Sequence, residues 1–214
     1  STLRAMLRTW QKIGLTDLSQ ALAGKQMERI RPIRYRVNWD KIPVDLLLSK
    51  MEVFKLTLED VMSSNPWCTP EQFEAWKKSE GTLGMDNPDT YSRIVRLPKQ
   101  KTNWPELNKI FDTFHYGTMD YISFVELPKG TGYPPHRDIH RSCNINFIRP
   151  STDGTPVAPL VIGDKTYNYD RFVFDPKPMH YVPAVNTTRF TIMLTWKNTP
   201  YEEVISNLER DGWV

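Results

Sequence analysis

The sequence predicts an α+β fold: an antiparallel sandwich or jelly-roll core carrying an N-terminal helical extension. Three observations lead there. Residues 116–200 hold about seven short alternating or β-branched stretches, parted by Gly, Pro, Asn and Asp turns, which suits antiparallel sheets rather than a parallel α/β sheet. Residues 1–115 carry helical spacing and helix-start signals instead. A chain of 214 residues with 39% hydrophobic and 12% aromatic side chains suffices for one sizeable core. The expected organisation is a mainly helical part, residues 1–115, packed on a core of residues 116–214, together one compact domain.

The elements follow in order. Leu3, Met6, Leu7 and Trp10 recur at helical spacing, and "TDLSQALA" (16–23) and "LTLEDVM" (56–62) read as two further helices. The clearest helix is "CTPEQFEAWKKSE" (68–80). Thr69 caps it, Pro70 takes the first helical position, Gln72 lies three after the cap, and Phe73 and Trp76 share a face. "NWPELNKIFDTF" (103–114) is a fifth. Between them "RPIRYRVNW" (31–39) and "YSRIVRLP" (91–98) alternate as strands do. In the second half the strands are "DYISFVELP" (120–128), "CNINFIRP" (143–150), the hairpin "PLVIGDKTYNY" (159–169) turning at Gly163-Asp164, "RFVFDP" (171–176), "HYVPAV" (180–185) and "TRFTIMLTWK" (188–197). "PYEEVISNLERDGWV" (200–214) closes the chain as a helix.

Composition narrows the function classes. Twenty-eight Lys and Arg against 25 Asp and Glu leave a net charge of +3, too weak to imply nucleic acid. No apolar run approaches the roughly 20 residues of a bilayer span, and the N-terminus lacks the apolar core of a signal peptide. Cys68 and Cys143 have no zinc-ribbon spacing and read as free thiols. The expectation is a soluble, cytoplasmic protein with no membrane partner.

The chain has four histidines, His115, His136, His140 and His180, so few residues can build a metal site. "YPPHRDIH" (133–140) sets His136 two before Asp138. His180 opens the sixth expected strand of the second half and Arg189 the seventh. Two imidazoles and one carboxylate on one face of a metal leave coordination positions open, the arrangement suited to iron(II) that must bind a co-substrate and O₂. Such a site carries net charge +1, so a dianionic 2-oxoacid can chelate it. Arg189 can clamp the far carboxylate bidentately, and Thr191, two residues on, shares its face and can bond the same group.

The stretch "PPHRDIHRSCNINFIRP … LVIGDKTYNYDRFVFDPKPMHYVPAVNTTRFTIMLTWK" resembles the 2-oxoglutarate- and iron(II)-dependent oxygenases, and among them the aspartyl/asparaginyl β-hydroxylase-like branch, over roughly residues 120–198. The resemblance implies a double-stranded β-helix core. It implies iron(II) bound by His136, Asp138 and His180, and 2-oxoglutarate bound at its distal carboxylate by Arg189. It further implies a polar residue on the strand after His136-x-Asp138 at the other end of 2-oxoglutarate, where Asn144 and Asn146 share a face. The implied activity is dioxygenation with O₂, 2-oxoglutarate going to succinate and CO₂ while an unactivated C–H bond is hydroxylated. The branch points to an amino-acid side chain, free or in a peptide or protein. Residues 1–115 match nothing in the resemblance.

Other residues have two readings each. Tyr121 and Ser123 share a face, lining the cofactor pocket or packing the core. Arg137 and Arg141 meet an anionic substrate or are solvated charge. His140 reads as a loop residue and His115 as structural. Trp10, Trp39, Trp67, Trp76 and Trp104 read as packing. "KQMERIRPIRYR" (25–36) sets Lys25, Arg29, Arg31, Arg34 and Arg36 against Glu28, with Tyr35 among them. A solvated face explains it. The rival function is a non-catalytic cupin-like binding module that engages a partner through this segment. A cupin-type metal enzyme would instead show a His-x-His pair without the distal Arg. Oligomeric state is not legible.

Overall fold

The structure is a computed structural model, and it describes residues 29–54, 69–71, 92–97, 102–154, 157 and 159–214. The expected helices at 3–10, 16–23 and 56–62, most of that at 68–80, and Cys68, Trp10, Trp67 and Trp76 lie outside the described residues.

Two antiparallel sheets face each other, forming a double-stranded β-helix. The large sheet has the order β1-β9-β6-β11-β4-β3-β2 and the small one β5-β10-β7-β8. In chain order the strands are β1 (Ile30–Pro32), β2 (Glu52–Phe54), β3 (Ser92–Leu97), β4 (Tyr121–Leu127), β5 (Tyr133–His136), β6 (Cys143–Ile148), β7 (Leu160–Ile162), β8 (Lys165–Tyr167), β9 (Arg171–Phe174), β10 (His180–Val182) and β11 (Arg189–Trp196). The described helices are a 3-10 turn at Trp39–Lys41 and the α-helices α1 (Val44–Leu48), α2 (Pro105–Thr113) and α3 (Tyr201–Arg210). The large sheet is continuous across residue 115, since β3 pairs with β4.

Period-two alternation makes two cores. On β4, β6, β9 and β11 one set of side chains (Ile122, Phe124, Ile145, Phe147, Val173, Ile192, Leu194, Trp196) meets Leu107 and Ile110 of α2 and Val204 and Leu208 of α3. The alternate set faces the small sheet, where Leu127, Ile148, Phe172 and Phe174 pack with Leu160 and Val182. Trp196 is fully buried, and its indole N–H donates to the Tyr116 carbonyl at 2.6 Å. Trp39 and Trp104 pack against the helix-side core as expected.

Two expectations need correction. The stretch 31–39 is not one strand. Only Ile30–Pro32 pairs, with β9. Its alternation is real, because Ile33 and Tyr35 are buried and Arg34 and Arg36 exposed. Its hydrogen bonds go elsewhere: the Ile33 N–H donates to Arg171 and the Arg34 N–H to Trp213, so no ladder forms. Secondly, "YPPH" (133–136), which is absent from the expected strands, is β5, an eighth strand within residues 116–200. It lies at the edge of the small sheet, and an edge strand can spare the N–H groups that Pro134 and Pro135 lack. The Gly163-Asp164 hairpin forms as expected, with Gly163 at φ 61°.

Gly132 sets how closely the chain entering β5 approaches β10. A Cβ there would lie 2.4 Å from the Val182 carbonyl oxygen and 2.9 Å from the Pro183 carbonyl carbon, both main-chain atoms that cannot swing away. Gly132→Ala must push β5 off β10. In urea denaturation it is expected to lower the midpoint at unchanged slope, at a cost of about 1–3 kcal/mol.

Candidate metal centre

β5 and β10 run antiparallel and set His136 directly opposite His180. The ring centroids are 4.2 Å apart. The register slips between His180 and Val182, which is where β10 leaves regular pairing. Asp138 follows two residues past His136. Its main-chain N–H donates to the Pro176 carbonyl at 3.0 Å, and its Oδ2 lies 3.8 Å from His180 Nε2. One ligand atom from each of His136, Asp138 and His180 falls within 4.8 Å of the others, close enough for a single metal ion.

The surroundings fix these side chains. His180 Nδ1 lies 2.9 Å from the Pro178 carbonyl, which can only accept, so Nδ1 carries the hydrogen and Nε2 keeps its lone pair toward the group. Burial pushes the His180 pKa down to about 4, helped by His136 and opposed by Asp138, so the ring is neutral. Arg141 Nη1 donates to Asp138 Oδ2 at 3.1 Å. Burial pulls the Arg141 pKa down, but Asp138, Tyr121 and Tyr133 outweigh it and hold it above the ordinary value. The loop 175–179 carries both contacts to the ligands. Asp175, itself buried, anchors it by accepting from the Lys177 N–H at 3.0 Å and from the Arg29 guanidinium.

Below the triad lies the inward face of the large sheet. Arg189 is 5% exposed, and among the described residues no carboxylate pairs with it. Its Nε donates to Thr191 Oγ1 at 3.3 Å, and its Nη1 is buried without a partner. Burial lowers its pKa to about 10, with Tyr133 opposing. A buried cation without a counter-charge is costly, so this position calls for an anion. Further along, Met193 is flanked by Ser123 and Asn146, and Thr195 by Tyr121 and Asn144. Both polar atoms of Asn144, Asn146 Oδ1, Ser123 Oγ and Thr195 Oγ1 are buried and unbonded. Buried polar groups normally find partners, so this floor is laid out for something besides protein.

The fold thus brings together His136, Asp138 and His180, and puts Arg189, Thr191, Asn144, Asn146 and Tyr121 on one face beneath them. It leaves out His140, in an exposed turn, and His115, an exposed residue whose Nδ1 meets the Asp112 carbonyl at 2.7 Å. Arg141 is neither solvated nor free for a substrate, as the two sequence readings had it. The sequence reading missed the ion pair, for which its place three residues after Asp138 was the available signal. Asp175 and its loop left no local signal, because their contacts reach residues far away in the sequence. The basic segment is occupied in part, Arg34 and Arg36 being exposed. Arg29 pairs with Asp175, Arg31 with Glu209, and Tyr35 lies in the helix-side core. Cys143 is a buried free thiol. Among the described residues no helix is long and apolar enough to cross a membrane.

No family model matches the sequence, and no curated protein does. Solved structures do. A prolyl hydroxylase from Trichoplax adhaerens, in complex with a hypoxia-inducible-factor peptide fragment, superposes with TM-score 0.51 at 13% identity, covering 92% of this chain and 96% of that one. A Pseudomonas putida prolyl-4-hydroxylase gives TM-score 0.37 at 13% identity over 72% of this chain and 97% of that one. A Burkholderia pseudomallei protein described as of the 2-oxoglutarate–iron(II) oxygenase family gives 0.36 at 13% identity over 51% and 67%. The first likeness shows the shared fold.

If the loop holds the ligands, removing its anchor loosens them. Asp175→Ala is expected to weaken cobalt(II) binding about 10–100-fold, as loss of a group supporting metal ligands usually does. Arg29→Ala should cost less, since Arg29 is half exposed and exposed ion pairs contribute about 0–1 kcal/mol. Titration of cobalt(II) absorbance reads both.

Proposed function

We propose that this chain is an iron(II)- and 2-oxoglutarate-dependent dioxygenase of the aspartyl/asparaginyl β-hydroxylase-like branch, which hydroxylates an unactivated C–H bond of an amino-acid side chain, free or in a peptide or protein. The observation that carries the reading is Arg189: a buried guanidinium with no counter-ion among the described residues, set on the sheet face beneath a two-histidine, one-carboxylate cluster. The two need the same dianion. A metal held by neutral imidazoles and one carboxylate keeps net charge +1 and open positions for a 2-oxoacid. The far carboxylate supplies what Arg189 lacks.

Iron(II) bound there would supply the activation of O₂, with 2-oxoglutarate oxidised to succinate and CO₂ as the substrate C–H becomes C–OH. The residues of the chain do the rest. His136, Asp138 and His180 are the ligands. The Pro178 carbonyl fixes the His180 tautomer, and Arg141 fixes the orientation of Asp138. Arg189 and Thr191 hold the distal carboxylate of 2-oxoglutarate, and Asn146, on the same face and opposite Met193, bonds its other end. The enclosed floor keeps water out.

The substrate class rests on the branch resemblance, and the Trichoplax neighbour with its bound peptide supports a peptide or a small molecule alike. The rival binding-module reading loses its main support, because Arg29 and Arg31 are paired and Tyr35 is buried.

Succinate formation from 2-oxoglutarate under air, with iron(II) and ascorbate, tests the proposal. Wild type is expected to form succinate in an iron-dependent way, and His136→Ala none. Arg189→Gln, which loses a charged hydrogen-bond donor pair, should raise the KM for 2-oxoglutarate about 10–100-fold. A wild type that binds neither iron nor 2-oxoglutarate would exclude this function.

A further inference from the structure

The polar floor is longer than the co-substrate. This inference rests on the function proposed above. β11 rises about 3.4 Å per residue, so Thr195 lies roughly 14 Å beyond Thr191, toward which the Arg189 guanidinium leans. A five-carbon diacid with bonds of about 1.5 Å spans only about 5 Å between its carboxyl carbons. Held by Arg189, it ends near the Met193 row. That row lies beside the metal group, because Arg141 Nη1 is 4.0 Å from Met193 Sδ and 3.1 Å from Asp138 Oδ2. The next row, Tyr121–Thr195–Asn144, is buried and lies beyond the reach of 2-oxoglutarate.

That end of the floor has a definite chemistry. Asn144, 1% exposed, has both side-chain polar atoms unbonded, and the Thr195 hydroxyl beside it is unbonded as well. The Ser123 hydroxyl, one row nearer the metal, adds a third free donor. Two cations lie against the Tyr121 ring: the Arg96 guanidinium carbon is 3.8 Å from its centroid and Lys197 Nζ 5.7 Å. Among the described residues no carboxylate side chain pairs with the side chain of Arg96 or Lys197. Asp138 is taken by Arg141, and Asp120 accepts the main-chain N–H of Lys197. The Asn144 N–H groups, the two hydroxyls and the cations complement a carboxylate, which leaves only Asn144 Oδ1 to another group of the same ligand. An ammonium alone would be repelled by the cations, and an apolar group would leave all of these polar atoms unpaired.

We infer that the Tyr121–Thr195–Asn144 row is the subsite of the oxidised substrate and that it binds a carboxylate, so that Asn144 and Tyr121 serve the substrate rather than 2-oxoglutarate. The substrate is then a small acid or an amino acid held by its carboxylate, with the reacting C–H reaching back over Met193 to the metal.

The test has two arms on the iron(II)-loaded protein. Equilibrium dialysis under nitrogen gives the Kd of 2-oxoglutarate. Succinate formation under air is then measured with the common amino acids and short straight-chain carboxylic acids, each beside its carboxamide. At least one acid is expected to stimulate succinate formation about tenfold or more while its carboxamide does not, the difference a lost charged hydrogen-bond pairing makes. Asn144→Ala, and the near-isosteric Thr195→Val in case the first misfolds, should raise the KM for that acid about tenfold and leave the Kd of 2-oxoglutarate within about twofold. Stimulation by no acid, or equal stimulation by the carboxamides, overturns the subsite while 2-oxoglutarate still binds. So does a Kd for 2-oxoglutarate that rises in Asn144→Ala as it does in Arg189→Gln. If wild type binds no 2-oxoglutarate, the proposed function itself fails.

Discussion

The antiparallel pairing of β5 with β10 is the contact on which the site depends. It sets His136 opposite His180 and leaves Asp138 one short step away. Nothing local to any of these residues would hold three ligand atoms within 4.8 Å. The pairing needs a close approach of main chains, and Gly132 permits it by having no Cβ. The loop 175–179 then locks the arrangement from outside, bonding the Asp138 main chain and the His180 ring through the carbonyls of Pro176 and Pro178. The small sheet carries the ligands and the large sheet carries the floor.

The large sheet earns its rigidity on its other face. Aromatic and aliphatic side chains of β4, β6, β9 and β11 pack against α2 and α3, so the inward face is free to carry polar residues. That division resolves an apparent cost. Unbonded Asn, Ser and Thr atoms and an unpaired arginine inside a protein lower its stability. Here they lie on strands whose opposite face is among the best-packed parts of the molecule, and the cost is offset by ligand when ligand is bound.

Much of this was legible in the sequence. The strands of the second half, the hairpin at Gly163-Asp164, α2 and the closing helix α3 follow from period and turn residues alone. So did the set His136, Asp138, His180 and Arg189, whose residue types in that order suit one metal and one dianion. β5 was hidden because two prolines argue against a strand, and only its edge position makes them tolerable. The alternation of β4 and β6 was read correctly as a period, but a polar alternate face usually means solvent. Here Asn144 and Ser123 are as buried as the isoleucines beside them, because a second sheet covers that face. The stretch 31–39 misled in the opposite direction: its pattern is that of a strand, yet its partners are single carbonyls at Arg171 and Trp213. Asp175 and its proline loop act across distances in sequence that no local pattern encodes.

The central claim is that the metal and the buried arginine share one ligand. If they do, the binding of iron(II) and of 2-oxoglutarate must be thermodynamically linked, each tightening the other by the same factor. The most direct measurement is an anaerobic titration of iron(II) into the protein with and without saturating 2-oxoglutarate, alongside the reverse titration. The account predicts a single iron site whose affinity rises when 2-oxoglutarate is present, with an equal gain in the reverse order. Iron and 2-oxoglutarate binding that ignore one another would contradict it.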